Sequence, residues 1–200
     1  MRNDSSILKK AFIDSLPVLM GYSTMGFAAG VLMAAKADVP LAPVWGFLTA
    51  ATFVSGTLSF AIVPLIAQSA PLASVAMLTL AINFRYAFYG FSMLGKWKNI
   101  PLAKKLYLIQ MLTDENYALE TACTLQDGKR HESYCLKLSA FNHFYWVAGC
   151  TAGCAAVCAL ERALSPERIK AATNGIEFAM VALFLVILTD QIKGFLGHGR

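Results

Sequence analysis

Several ionisable side chains stand inside long apolar stretches, and their types suit the handling of a zwitterion or a proton. Arg85 lies in Ala81-Ile-Asn-Phe-Arg-Tyr-Ala-Phe-Tyr-Gly90, preceded by 46 positions, Val39 to Phe84, without one Asp, Glu, Lys, Arg or His. A charge in hydrocarbon costs about 2.5–3.5 kcal/mol on insertion scales, so it requires an explanation. The guanidinium offers five donors in a planar fork matched to a carboxylate, including that of an amino acid. The alternative is a structural ion pair with Asp114, Glu115 or Glu177. Asn83, two residues earlier, has an amide suited to unwound backbone. Asp114-Glu115-Asn116 sets two adjacent carboxylates that cannot face one partner. One suits Arg85 or a carried proton, which burial helps a carboxyl to hold; otherwise both are solvated on an interfacial helix. Glu177 follows Asn174-Gly175 and starts a helix, a position compatible with a cap or a relay. Tyr86 and Tyr89 read as markers of a membrane interface, and His143 beside Asn142 as a packed, hydrogen-bonded histidine.

These groups need helices to carry them, and the composition says where those helices sit. Hydrophobic residues make up 57% of the 200 positions and charged residues 14%, against about 25% charged in soluble domains. As helix, the uncharged run would measure about 69 Å, more than twice the roughly 30 Å hydrocarbon core. The apolar material continues towards the C-terminus, so a cleaved signal peptide does not account for it. No segment alternates with period two, so the expected fold is an all-α integral membrane protein, one transmembrane unit over 1–200. Five to six long apolar segments are expected, at about Ala11–Ala35, Leu41–Ala67, Pro71–Leu94, Leu102–Leu125, Leu138–Leu160 and Ala171–Leu188. The second is interrupted by Ser55-Gly56-Thr57 and reads as broken or re-entrant, the kind of segment at which transporters place substrates. Counting Lys and Arg at the segment ends gives eight against eight for six full spans. With a re-entrant second segment the count is ten inside against six outside.

Other functions find no support in the residues. The net charge of +5 is spread over the connections rather than forming a basic stripe with aromatics, as nucleic-acid binding requires. No phosphate loop, HExxH, GxSxG or paired CxxC occurs, so no enzyme and no cofactor are expected. Cys150, Cys154 and Cys158 lie at i, i+4 and i+8 on one helix face, an arrangement that favours packing over disulfide or metal chemistry. Gly26 and Gly30, and Gly149 and Gly153, are small-residue pairs at the spacing that lets helices approach closely.

Asn83-Phe-Arg85-Tyr-Ala-Phe-Tyr89-Gly90, Leu112-Thr-Asp114-Glu115-Asn-Tyr-Ala118, Gly175-Ile-Glu177-Phe-Ala179 and the opening Ala11-Phe-Ile-Asp-Ser-Leu-Pro17 occur in this order along the chain. Together they resemble the AzlC family, the large subunit of AzlCD-type branched-chain amino acid exporters. Three departures stand out. Gly56-Thr-Leu-Ser59-Phe60 replaces a usual Gly-Ser-x-Gln-Phe, Tyr86 a usual His, and Glu177 a usual Asp. The family also commonly runs beyond the point where Gly197-His-Gly-Arg200 stops, so a short or truncated member is expected. The resemblance implies a multi-pass subunit of a prokaryotic cell membrane that exports branched-chain or other neutral amino acids by alternating access. It further implies a small AzlD-type membrane partner. Arg85, Asn83, Ser55, Gly56, Thr57 and Ser59 would bind substrate, with Asp114, Glu115 and Glu177 carrying the compensating charge or proton. A non-transport membrane scaffold and a small-solute channel are the rival readings.

Overall fold

The computed structural model describes residues 2–36, 41–125, 128–163 and 165–178, with 181, 182, 185, 186, 189 and 193 beyond them. Every regular element among these residues is helical: α1 (Arg2–Lys36), α2 (Ala42–Thr52), α3 (Gly56–Ala67), α4 (Leu72–Asn83), α5 (Arg85–Met93), α6 (Leu102–Gln110), α7 (Asp114–Ala122), α8 (Gly128–Glu161) and α9 (Pro166–Thr173), then a 3₁₀ turn at Ile176–Phe178. Among these residues, α1 and α8 are each long and apolar enough to cross a bilayer alone. The pair α4 and α5 makes a third path only when taken together, with a 45° bend between them. So the five or six membrane-length segments read from the sequence are here two long helices and one bent pair among the described residues. The stretches 41–67 and 102–125 each divide into two helices of nine to twelve residues. Ala171–Leu188 is described in part: α9 ends at Thr173 and the 3₁₀ turn follows, while positions 179, 180, 183, 184, 187 and 188 lie outside the described residues.

The breaks have local causes. Phe53 and Ser55 are extended, which separates α2 from α3 just before Gly56. Thr113 is extended too, and its side chain accepts from the backbone N–H of Asn116, so it caps the start of α7. Asp114 and Glu115 then fill that helix's first turn, where negative charge is favoured. Pro71 and Pro101 precede α4 and α6, and Pro43 lies in the first turn of α2, positions where a missing N–H costs nothing.

The two long helices run parallel. Asp4 meets Lys137, Ser15 meets Tyr145, and Gly30 meets Cys154. Glycine brings their backbones together: a Cβ on Gly30 would stand 2.0 Å from the Cys150 carbonyl oxygen, and one on Gly153 2.1 Å from that of Phe27. The small-residue pairs noted in the sequence therefore pack on each other within the chain. Cys150 and Cys154 lie in this seam, and all five cysteines are free.

Around this pair the broken stretches double back. Thr49 of α2 bonds Met33, and Ile62 and Ile66 of α3 line a small apolar cavity with Gly30 and Met33. Both limbs of α2–α3 therefore lie beside the C-terminal half of α1. The α6–α7 pair does the reverse. Lys104 at its start pairs with Glu132 at 2.6 Å. Cys123, Thr124 and Leu125 at its end share a cleft with Lys96, Gly128 and His131. The tips of the two hairpins touch, since the Gln110 amide donates to the carbonyls of Ala51 and Thr52 at 3.2 and 3.3 Å. This corrects both charge counts above, which put 95–105 and 126–137 on opposite faces. The Lys104–Glu132 pair and a cleft shared by Lys96, Lys98 and Lys129 hold the two connections at one end.

One buried cluster, with Tyr22, Leu32, Phe60 and Trp146, fills the half near the α2–α3 hairpin. A second, with Ile7, Trp97, Leu112 and Tyr134, fills the half where α1 begins. Large apolar side chains also face outward, among them Met20, Leu72, Met77, Phe91 and Phe144, and α4 buries no residue. So much outward apolar surface is what a bilayer solvates.

Candidate functional site

Three helix breaks converge on one cavity. Val54 from the α2–α3 break, Arg85 and Tyr86 from the start of α5, and Thr113 from the α6–α7 break all line it, with Pro17, Val18, Tyr22 and Met25 of α1 and Trp146 of α8. Its volume is about 290 Å³, at the low end of small-molecule sites, which run from about 300 Å³ upward. One wall is apolar, made by Val18, Met25, Val54 and Trp146.

The other wall is charged. Arg85 Nη1 pairs with Asp114 Oδ2 at 2.8 Å, with the two side chains 38% and 42% exposed. Pairs this open to solvent contribute at most about 1 kcal/mol, so an incoming ligand can displace one member. Tyr89 donates to the other oxygen of Asp114 at 2.8 Å. The Arg85 guanidinium also lies over the Tyr86 ring, 5.1 Å from its centroid. Its Nε is buried with no hydrogen-bond partner among the described residues. The Tyr22 hydroxyl donates to Glu115 Oε2 at 2.9 Å and lies 2.7 Å from Thr113 Oγ1. α3 also begins at the cavity, so Gly56 and Thr57 bring the amide end of a helix to it.

The sequence-derived residues divide into groups. Arg85, Gly56, Thr57, Asp114 and Glu115 meet at the cavity. Ser55 and Asn83 stand behind it in a chain of hydrogen bonds. Arg85 Nη2 donates to Tyr86 at 3.4 Å, Tyr86 to Ser55 at 3.5 Å, and Ser55 to Asn83 Oδ1 at 3.0 Å. Ser59 turns away: it donates to the Ser55 carbonyl and lines the separate apolar cavity. The Glu177 side chain lies outside the described residues. His143 packs near Tyr107, 3.4 Å from its hydroxyl.

Tyr22, Thr113 and Trp146 belong to the site and were missed in the sequence. A single tyrosine in an apolar helix needs a partner for its hydroxyl, and that was the available signal for Tyr22. Tyr86 and Tyr89, read as interface markers, instead turn their hydroxyls to Ser55 and Asp114.

Comparison with known proteins adds the family. The AzlC protein family model matches residues 17–160. A membrane protein of Haemophilus influenzae is 35% identical over 188 residues, 93% of this chain and 72% of that one. The branched-chain amino acid transport protein AzlC of Bacillus subtilis is 27% identical over 183 residues, 92% of this chain and 67% of that one. The inner membrane protein YgaZ of Escherichia coli is 24% identical over 182 residues, 90% and 71%. No solved structure matches the chain. With apolar helices able to cross a bilayer and a family match over most of its length, the chain is a membrane protein that belongs to the AzlC family.

Proposed function

We propose that this chain is the large subunit of a secondary transporter exporting branched-chain or other neutral amino acids, in complex with a small AzlD-type membrane protein. The observation that carries the reading is the Arg85–Asp114 pair, open to a cavity with one apolar wall. An amino acid zwitterion suits such a site. Its carboxylate takes the place of Asp114 on Arg85, or rests on the amides of Gly56 and Thr57. Its ammonium is met by the released Asp114 or by Glu115. A branched side chain lies against Val18, Met25 and Trp146. The similarity to the Bacillus subtilis protein supports this substrate class.

In the bilayer, α1, α8 and the bent α4–α5 path cross, while α2–α3 and α6–α7 enter from opposite faces and return. The end where α1 begins faces the cytoplasm. Among the described residues it gathers ten basic residues (Arg2, Lys9, Lys10, Lys96, Lys98, Lys104, Lys105, Lys129, Arg130 and Lys137). The other end has four: Lys36, Arg162, Arg168 and Lys170. Re-entrant segments meeting at mid-membrane are a setting in which transporters bind substrates.

Counterflow of radiolabelled leucine in liposomes holding this chain and its partner tests the reading. Saturable exchange is expected, and no exchange of any neutral amino acid would overturn it. A second reading, a membrane scaffold, rests on the Arg85–Asp114 pair being already closed. Arg85→Lys separates the two. A carrier loses substrate affinity because an ammonium cannot make the bidentate contact. A scaffold keeps its stability and has no transport to lose.

A further inference from the structure

A second carboxyl lies deeper than those of the cavity. Glu120 of α7 is fully buried against α8, with 0% of its surface exposed, and among the described residues no cation reaches its side chain within ion-pairing distance. The polar groups facing it come from each neighbouring element. Ser139 of α8 donates to Oε1 at 3.4 Å, and Cys135 of α8 and Trp97 of the α5–α6 connection lie beside it. Cys123 follows just beyond the end of its helix, and Lys96 is held by the backbone carbonyls of Glu120 and Thr121. On α1, Lys10 and Asp14 pair with each other, and Asp14 accepts from Tyr134.

Glu120 stands in a file of buried polar side chains along the α7–α8 seam. Towards the end where α1 begins, Cys135 Sγ lies 3.5 Å from His131 Nε2, and His131 lines a surface cleft with Lys96 and Asn99. Towards the cavity, Asn116, one helical turn before Glu120, accepts from the Asn142 amide. The backbone N–H of Asn116 donates to Thr113 Oγ1 at 3.4 Å, and Thr113 touches Tyr22, which holds Glu115. Glu120 Oε2, His131 Nδ1, Trp97 Nε1 and Asn142 Oδ1 are all buried without a hydrogen-bond partner among the described residues. Trp97 Nε1 faces the Glu120 carboxyl without completing a hydrogen bond, and leaving His131 Nδ1 and Asn142 Oδ1 unpaired as well is unusual for a structure built only to be stable. An ionised carboxylate here would be a buried charge with no paired cation among the described residues, a costly state.

We propose that Glu120 is the proton-carrying residue of this protein, reached from the His131 cleft and linked to the substrate cavity through Asn142, Asn116 and Thr113. The chemistry is reversible ionisation: the proton passes between the Glu120 carboxyl and bulk water, and no other bond changes. Coupling follows when the ionised state alters the Thr113–Tyr22–Glu115 side of the cavity. That part rests on the transport reading above; the proton site does not.

Two measurements on the full chain with its partner, in phosphatidylcholine vesicles, test the two parts separately. Infrared difference spectra between acid and alkaline pH should show a protonated-carboxyl band that Glu120→Gln removes. A band unchanged in Glu120→Gln overturns the proton site. Under a gradient of one pH unit, a carrier coupled to one proton accumulates leucine about tenfold. Glu120→Gln, fixed in the neutral form, should exchange leucine in counterflow at the wild-type rate but lose that accumulation. Accumulation retained in the variant overturns the coupling. If Glu120→Gln does not fold, Glu120→Asp serves, with a displaced band and weakened accumulation expected. Wild-type protein without counterflow removes the transport reading and the coupling together, and the infrared band still decides the proton site.

Discussion

Replacing Gly30 by alanine should damage this protein far more than the same change at Gly21, nine residues earlier in the same helix. An added Cβ at Gly30 would stand 2.0 Å from the Cys150 carbonyl oxygen and 2.9 Å from the Cys154 amide nitrogen. Both neighbours are main-chain atoms of α8, which cannot rotate aside as a side chain can. The oxygen contact falls roughly 1.4 Å short of the 3.4 Å at which ordinary contact begins. The helices must separate locally, and overpacking of this kind costs about 1–3 kcal/mol. At Gly21 nothing among the described residues lies within 4 Å, so alanine there brings only its helix preference, worth up to about 1 kcal/mol. The two variants should therefore differ by about 2 kcal/mol or more, equivalent to roughly 4–8 °C in melting temperature for a chain of this size. A thiol-reactive fluorophore in a thermal ramp suits the measurement, because Cys150 and Cys154 are buried in the same seam. Gly153→Ala, with its Cβ 2.1 Å from the Phe27 carbonyl oxygen, should behave like Gly30→Ala. If either seam variant melts at or above Gly21→Ala, α1 and α8 do not pack as described.

Asn116→Leu and Asn142→Leu should each cost about 1–3 kcal/mol, because each strands the other's buried amide. The double variant should lose less than the sum, and a thermal double-mutant cycle reads the difference. A cysteine at position 69, between α3 and α4, should react with an impermeant reagent from outside the cell, and one at Lys98 only from the cytoplasm. Labelling of position 69 from the cytoplasm would refute the re-entrant arrangement.

The large scale of this fold is legible in the sequence because hydrophobic length and small-residue spacing act locally. The uncharged run up to Phe84 announces a membrane protein, and the glycine pairs of α1 and α8 announce a close helix contact. Ser55-Gly56-Thr57 likewise marks an interruption, which falls at residues 53–55. The bend between α4 and α5 is not legible, since neither glycine nor proline stands at Phe84 and packing must impose it. Nor could the charge count find the doubling back of 102–125, because Asp114 and Glu115 make the stretch read as one amphipathic helix. At the site, Arg85 and its acids are conspicuous by their cost in an apolar setting. Tyr22 and Glu120 are not, because their roles arise from partners far along the chain.

The convergence of three helix interruptions on one cavity has a mechanical meaning. Six helices, α2 to α7, each begin or end at that point, whereas α1 and α8 pass it without a break. A helix interior resists bending because every turn is tied to the next, but a break is a joint. The cavity is therefore the shared pivot of six short levers mounted on a two-helix post, and a change in its occupant is felt by all of them at once. The glycine seam also fixes the post in one register, because a slide by one turn, about 5.4 Å, would set side chains where main chains now touch. Any rearrangement that keeps this seam intact therefore falls to the levers.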